Sequence, residues 1–416
     1  MSEAFQVLSF EDARHIVEEH TAKLAPPETE IVDLLVADRR VLAKAIMSDR
    51  DLPPFPRSTR DGYALRSTDL AAVPRFLEVI GEIKAGESLE NIPKHLGNGQ
   101  AVSIMTGAPV PAGADAVVMV EYTSQQGGRV EITRSIAAGE NIVPAGAEAK
   151  QGSVLVERGV RLNEAAIALA ASVGKFRLEV YKRPCVAMLA TGDEIVSVDT
   201  TPGPTQIRNS NSYSLAVQIR NAGGEPVLLP IAPDEPRRLR ELMEEGLNSD
   251  ALLMTGGVSM GRYDLVEQVL EELKAEFFFT GAKIQPGRPV VFGRCRGMGG
   301  RETEGTYFFG LPGNPVSTMV TFELFARPIV EALGGMSPQK LRFVYAKLKS
   351  EIRVKMGLKR FLPAILSGEL EGSRVELVSW QGSGDVAATA RANCYVVVPP
   401  DRELIPAGEF VAIIPR

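Results

Sequence analysis

The chain has 416 residues, 44% of them hydrophobic and 24% charged, with a formal net charge of -6 and a pI near 5.5. That length suits about two to four domains with separate cores, and the acidic balance argues against a nucleic acid or an anionic membrane as the main partner. Three isolated cysteines, Cys185, Cys295 and Cys394, lack paired zinc or redox spacing and fit a reducing cytosol, and no stretch approaches the ~18 apolar residues of a membrane span. Acids at Glu3, Glu11 and Asp12 do not fit a signal peptide, so a cytoplasmic location is expected. His15, His20 and His95 are expected at exposed positions, which leaves little for histidine-based metal ligation or triad chemistry.

In chain order, Ser9 and Asp12 make a capping arrangement. Phe10, Ala13, Ile16, Val17 and Leu24 then recur at helical spacing, predicting a first helix that stops before Pro26-Pro27. Residues 31 to 47 carry a second helical pattern, after which Leu52-Pro-Pro-Phe-Pro56 enforces an extended crossing. From about 57 to 149 the chain is rich in Gly and Pro with short β-branched runs such as Ala116-Val-Val-Met-Val120, predicting a small inserted β domain. Asn163 can cap a helix over Glu164 to Val173 with Gly174 as its stop, and this connector helix is expected to pack on the 31 to 47 segment. From 184 apolar runs alternate with helices at Ser212 to Gly223, from Asp234, and at 265 to 275, predicting a central doubly wound parallel α/β domain. After Gly334-Gly335 the alternating segments 342 to 354, 361 to 367, 373 to 380, 394 to 398 and 410 to 414 predict a β-barrel-like C-terminal domain. The fold class is therefore α/β and multidomain.

Three loops of the α/β segment each follow a buried-strand pattern: Thr191-Gly-Asp-Glu194, Thr255-Gly-Gly-Val-Ser259 and Leu311-Pro-Gly-Asn-Pro-Val-Ser317. In an open α/β sheet such loops gather at the carboxyl ends of the strands, where ligands bind. Asn314 is placed to cap a helix with Pro315 in its first turn, and free backbone N–H groups there, beside the bare Gly313, would seat an anion. Gly256-Gly257 reads either as a phosphate nest, with Thr255 and Ser259 hydroxyls as donors, or as a tight strand-to-helix turn. Glu194, Asp234 and Asp264 stand at strand ends or helix starts on the same edge. They read either as Mg²⁺ ligands acting through water against a phosphate, or as caps complementing helix N-termini. Asp61-Gly62 and Thr106-Gly107 read first as turns. Lys283 and Arg288 flank a Pro286-Gly287 bend, and Lys359-Arg360 supplies further cations for an anionic substrate.

Taken together, Asp61-Gly-Tyr-Ala64, Ile104-Met-Thr-Gly-Ala-Pro-Val-Pro111, Pro286-Gly-Arg-Pro289 and the three loops resemble the MoeA family of molybdopterin molybdenumtransferases, related to the gephyrin E domain. The motif order matches over essentially the whole chain. The resemblance implies insertion of molybdate into adenylylated molybdopterin with loss of AMP, giving molybdenum cofactor, in a Mg²⁺-dependent cytoplasmic homodimer. It implies an elongated four-part subunit: an α/β molybdopterin-binding domain of 1–30 with 181–332, a connector and dimerisation domain of 31–48 with 150–180, a small β domain of 49–149, and a C-terminal β domain of 333–416. It lifts Asp61 and Thr106 out of their turn readings as catalytic residues, with Glu148, Glu194 and Asp234. Glu194, Asp234 and Asp264 are the implied Mg²⁺ ligands. Thr255, Gly256, Gly257, Ser259, Pro312, Gly313 and Asn314 would bind molybdopterin-AMP, and Lys283, Arg288, Pro289, Ser317, Arg360 and Ser383 would surround molybdate. This chain departs from the family where Gln285 replaces the lysine before Pro-Gly, where Gly357-Leu-Lys-Arg360 replaces a Gly-Arg motif, and where Glu148 stands for an aspartate. Contacts with the molybdopterin adenylyltransferase and with apo-molybdoenzymes are also implied. Two rivals are a tungstate-inserting paralogue and a non-catalytic, gephyrin-like scaffold that binds a peptide in its dimer cleft.

Overall fold

A computed structural model of the chain describes residues 7–88, 90–257, 265–296, 305–369 and 372–416. Helix α1 (Phe10–Lys23) starts where its cap lies: the Ser9 hydroxyl accepts the Asp12 N–H at 3.0 Å, with Glu11 and Asp12 in the first turn and His20 and Lys23 in the last. Both ends complement the helix dipole. Phe10, Ala13 and Val17 form its buried stripe. The Phe10 ring lies 6.1 Å from that of Phe325 and 5.3 Å from that of Phe361, so the first helix is packed against two parts of the molecule at once.

Residues 31 to 47 are not helical. Thr29–Asp33 is a strand, Leu34–Ala37 a single 3-10 turn and Ile46–Met47 a short strand. The β-branched Ile31 and Val32 pair antiparallel with Glu179 and Leu178 in the strand Arg177–Tyr181, and this long-range pairing overrides a local periodicity that fits a helix. The expected packing partner is nevertheless there. Helix α2 (Glu164–Ser172) is capped by Asn163, whose side chain accepts from Ala166 N–H, and its Ala166 and Ala170 share one core with Ala37, Leu42 and Ile46. Between these stretches, residues 62–132 build a six-stranded sheet.

The α/β part is built on β1 (Cys185–Ala190), α3 (Asn211–Ala222), β2 (Glu225–Leu228), α4 (Pro236–Gly246), β3 (Ala251–Thr255), α5 (Leu265–Glu272), β4 (Glu276–Phe279), β5 (Ile284–Gln285), β6 (Val291–Cys295), β7 (Thr306–Leu311), α6 (Pro315–Thr321) and α7 (Arg327–Leu333). The sheet order is β2-β1-β3-β7-β6-β4. The first four strands are parallel, but β6 runs antiparallel to both its neighbours, β7 and β4, so the sheet is mixed rather than wholly parallel. Helices cover both faces: α1, α3, α6 and α7 pack on one core, α4 and α5 on the other. His20 is half-buried rather than exposed. Its ring stacks on Phe278 at 4.0 Å and its Nδ1 lies 3.1 Å from the Tyr307 hydroxyl. Burial, with Lys23 and Arg294 nearby, holds its pKa below the ordinary histidine value.

Strands β8 (Val344–Leu348), β9 (Lys359–Ser367), β10 (Arg374–Leu377), β11 (Cys394–Val398) and β12 (Phe410–Pro415) close a ring in the order β9-β10-β8-β12-β11 and back to β9. Closure removes the exposed edges that an open sheet of this size would carry. The α/β part joins this barrel through β5, which pairs in parallel with β9, Ile284 opposite Lys359 and Gln285 opposite Arg360.

Phe10→Ala is expected to cost about 3 kcal/mol, since it leaves a cavity between two aromatic neighbours. Hydrogen exchange should then show earlier opening of α1 and of the Phe361 segment, while residues 62–132 keep their protection.

Candidate active site

Adjacent parallel strands β1, β3 and β7 are in register at their carboxyl ends, Ala190 opposite Thr255 and Thr255 opposite Leu311. The loops that follow them therefore leave the sheet at one level, beside the point where the strand order turns back between β2, β1 and β3. They meet through backbone. A Cβ on Gly256, where φ is +89°, would lie 2.4 Å from the Thr191 carbonyl oxygen and 3.0 Å from its Oγ1, and a Cβ on Gly313 would lie 3.7 Å from Gly256 Cα. Gly192, at φ +131°, has the Glu194 carboxylate folded over it. Gly256 has to be a glycine, because a side chain there would run into the Thr191 backbone, whereas Gly313 meets Gly256 at ordinary contact distance.

The result is a cavity of about 420 Å³ lined by Thr191, Glu194, Thr255, Gly256, Gly257, Pro289, Pro312, Gly313 and Asn314. Arg208, Asn209, Ser210 and Asn211 also line it, and sequence reasoning missed all four. Their only signal was a run of polar residues before a helix, which is also what a cap looks like. Asn209 does cap locally, accepting the Ser212 N–H at 3.1 Å. Asn211 donates from Nδ2 to the Gly313 carbonyl at 2.7 Å, tying α3 to the third loop. Its Oδ1 and the Thr191 Oγ1 are buried with no hydrogen-bond partner among the described residues. Such orphaned acceptors are rare in folded proteins and concentrate at functional sites.

The helix start at Asn314 differs from expectation. Asn314 holds the N-cap position but makes no side-chain cap bond, and the Val316 N–H is taken by the Ser383 carbonyl at 3.0 Å. A barrel loop thus occupies part of the expected anion seat. The same contact brings Ser383 beside the helix that carries the buried Ser317. The Pro286-Gly287 turn presses on this helix too: a Cβ on Gly287, at φ +104°, would lie 2.3 Å from Thr321 Cγ2. Arg360 reaches the turn from β9, its Nε donating to Gln285 Oε1 at 2.8 Å. Lys283 and Arg288 are exposed on either side and form no ion pair among the described residues. Ser317, Ser383, Arg360 and the turn before Arg288 thus form one corner, and Pro289 continues from it into the cavity wall.

Asp61 and Thr106 are together but elsewhere. Asp61 Oδ1 accepts from the Thr106 N–H at 2.6 Å and from its Oγ1 at 2.8 Å. These two bonds hold the exposed Asp61 carboxyl below the ordinary aspartate pKa. Gly62 is not a turn residue; it lies in the strand Gly62–Leu65, where a Cβ would sit 1.9 Å from the Val118 carbonyl oxygen. Gly107 does turn, at φ +83°. Glu148 pairs with Arg57 at 2.8 Å, and Arg57 in turn bridges to Pro109, three residues beyond Thr106. No described residue of 49–149 lines the cavity.

Glu194 lines the cavity, and Asp234, exposed, donates its N–H to Asp193 Oδ1 at 3.1 Å. Asp234 is not the cap of α4, a place held by Glu235. Asp264 and Ser259 lie outside the described residues. Among the described residues no three His, Cys, Asp or Glu side chains converge as a ready-made metal cage. Mg²⁺ does not need one, because it keeps several waters and takes one or two carboxylates plus phosphate oxygens. Glu194 on the wall of the glycine-lined cavity, with Asp234 in the adjoining loop, fits that mode.

Family models match the chain from end to end: the MoeA N-terminal region (domain I and II) over residues 8–174, a probable molybdopterin binding domain over 187–332, and the MoeA C-terminal region (domain IV) over 345–415. The molybdopterin molybdenumtransferase of Nostoc sp. is 35% identical over 416 residues, spanning 98% of this chain and 93% of that protein. That of Bacillus subtilis is 34% identical over 397 residues, spanning 93% and 90%. Among solved structures, a molybdopterin biosynthesis MoeA protein from Pyrococcus horikoshii covers 99% of both chains with 33% identity and a TM-score of 0.70.

Asp61 is expected to titrate below the ordinary aspartate value in an NMR pH titration of its carboxyl carbon. Thr106→Val removes one donor and leaves the backbone N–H, so it should move that pKa part of the way up. The sign follows from linkage: stability contributed by a depressed carboxyl is present above the unfolded pKa and lost as pH falls through the folded one.

Proposed function

The chain belongs to the MoeA family of molybdopterin molybdenumtransferases, and on that premise we propose how its parts carry out the transfer. The activity is that of a transferase in molybdenum cofactor biosynthesis, with molybdopterin as substrate. The cavity at the ends of β1, β3 and β7 holds adenylylated molybdopterin. Its phosphates lie on the backbone of Gly256, Gly257 and Gly313, where no side chain stands in the way. Arg208 and the Thr191 and Asn211 polar atoms read the rest. The carrying observation is the backbone contact of the three loops, which makes one cradle from residues 57 and more positions apart.

Molybdate, the second substrate, binds in the neighbouring corner against Arg288, Lys283, Arg360, Ser317 and Ser383. An acidic chain needs such local cations to attract an oxyanion. Glu194 and Asp234, with Asp264 as a further ligand, would hold Mg²⁺ through water, and the ion would supply charge neutralisation at the phosphates. The chain's own contribution is positioning and electrostatics. Loss of AMP breaks the phosphoanhydride with one water. A carboxylate, Glu194 from the cavity or Asp61 held ionised by Thr106, orients that water.

Asp61, Thr106 and Glu148 reach the cavity from a second copy of the chain. Support for a homodimer comes from the connector, where Leu35 is 88% exposed and Phe176 74% exposed, and the Leu34 N–H donates to the Phe176 carbonyl, placing them side by side. A contiguous apolar patch of this kind marks an association surface. Transfer to and from the upstream adenylyltransferase and apo-molybdoenzymes would use the open side of the cavity.

Purified protein with adenylylated molybdopterin is expected to release AMP on addition of molybdate and to do so less well with tungstate. Release only with tungstate would favour the tungstate-inserting reading, and no release with either would favour a non-catalytic scaffold. Gly256→Ala should lower affinity for adenylylated molybdopterin by at least about tenfold, because its Cβ forces two loops apart. Leu35→Asp with Phe176→Asp is expected to give a folded monomer by light scattering that no longer releases AMP.

A further inference from the structure

Arg360 is 7% exposed, yet it has no carboxylate partner among the described residues. Other buried arginines are compensated: Arg14 by Glu18 and Arg40 by Glu30. Arg360 instead donates to neutral oxygens, Nε to Gln285 Oε1 at 2.8 Å and Nη1 to the Leu358 carbonyl at 3.1 Å. A guanidinium removed from water without a counter-charge is costly, and the cost is recovered when an anion arrives. Burial alone draws its pKa below the ordinary arginine value.

We infer that Gln285 is a positioning residue which fixes the Arg360 guanidinium while leaving its charge uncancelled for a tetrahedral oxyanion. This rests on the reading of the Arg360, Ser317 and Ser383 corner as the molybdate site. Gln285 is itself fixed by backbone. It lies opposite Arg360 in the β5–β9 register, and the next two residues form the turn seated against Thr321, four residues beyond Ser317. The amide oxygen takes up the Nε–H and so sets the plane of the fork. A carboxylate at 285 would satisfy the same N–H but neutralise the charge. An ammonium would add a second cation for the oxyanion but offer no acceptor to fix the fork. Only a neutral acceptor does both jobs, so the side chain at 285 tunes how strongly the corner holds a dianion.

The Gln/Glu pair separates this role from a merely structural one, because the two side chains have the same shape and both accept from Nε. Molybdate binding to the full-length chain, measured by calorimetry alongside thermal unfolding, is the test. Gln285→Glu is expected to weaken molybdate binding about thirtyfold with unchanged or raised thermal stability, and Gln285→Met to weaken it about tenfold. If Gln285→Glu does not fold, Gln285→Met decides alone. Binding within threefold of wild type in the folded variants, while Arg360→Ala loses it, would overturn the role of Gln285 and leave the oxyanion corner standing. Wild-type binding by Arg360→Ala would overturn both.

Discussion

Everything at the cavity depends on three loops touching through their backbones. The register of β1, β3 and β7 brings them to one level, but register alone would leave them a side chain apart. Glycine at 256 lets the second loop reach the Thr191 carbonyl, and the third loop meets Gly256 at ordinary contact distance through Gly313. Asn211 then fastens α3 to the Gly313 carbonyl. A cavity made this way presents peptide groups instead of side chains, which suits a polyanion in a protein whose overall charge is negative.

The second consequence is a division of labour across the β5–β9 seam. Strand β5 belongs to the α/β part by sequence and pairs with the barrel by hydrogen bonding. Its turn rests on α6, the same helix whose first turn receives the Ser383 carbonyl. Barrel and α/β part are thus clamped at one helix start, with Arg360 arriving from one side and Arg288 from the other. Helix α1 strengthens the clamp, because Phe10 lies between Phe325 and Phe361 and Lys359 forms an ion pair with Glu11 and stacks over Phe10.

Much of this was legible from residue pattern. Caps at Ser9 and Asn163, the βα alternation after 184 and the glycine-rich loops gave the α/β part and its cavity, since these signals are local. The 31 to 47 stretch was misread because Ile31, Leu35 and Val36 are apolar at helical spacing while being exposed, and pairing with 177–181 decides their conformation. The reversal of β6 within the sheet is decided by its long-range pairing with β7 and β4, which hydropathy does not report. Arg208 to Asn211 were hidden because a polar run before a helix serves capping and binding alike. Asp61 and Thr106 carried no chemical signal of their own; motif resemblance singled them out, and their mutual hydrogen bonds are the first physical reason to treat them as a unit.

In the proposed dimer the cavity is half a site, completed by Asp61 and Thr106 of a second chain. Complementation between two inactive variants tests it most directly. Asp61→Ala and Arg360→Ala chains, separately tagged, are mixed, dissociated and reassembled, and the heterodimer is purified and assayed for molybdate-dependent AMP release. A shared site predicts that the heterodimer regains about half of wild-type activity, because one of its two cavities then has every residue intact. A heterodimer as inactive as its parents would contradict the account and place Asp61 and the cavity of one chain in the same site.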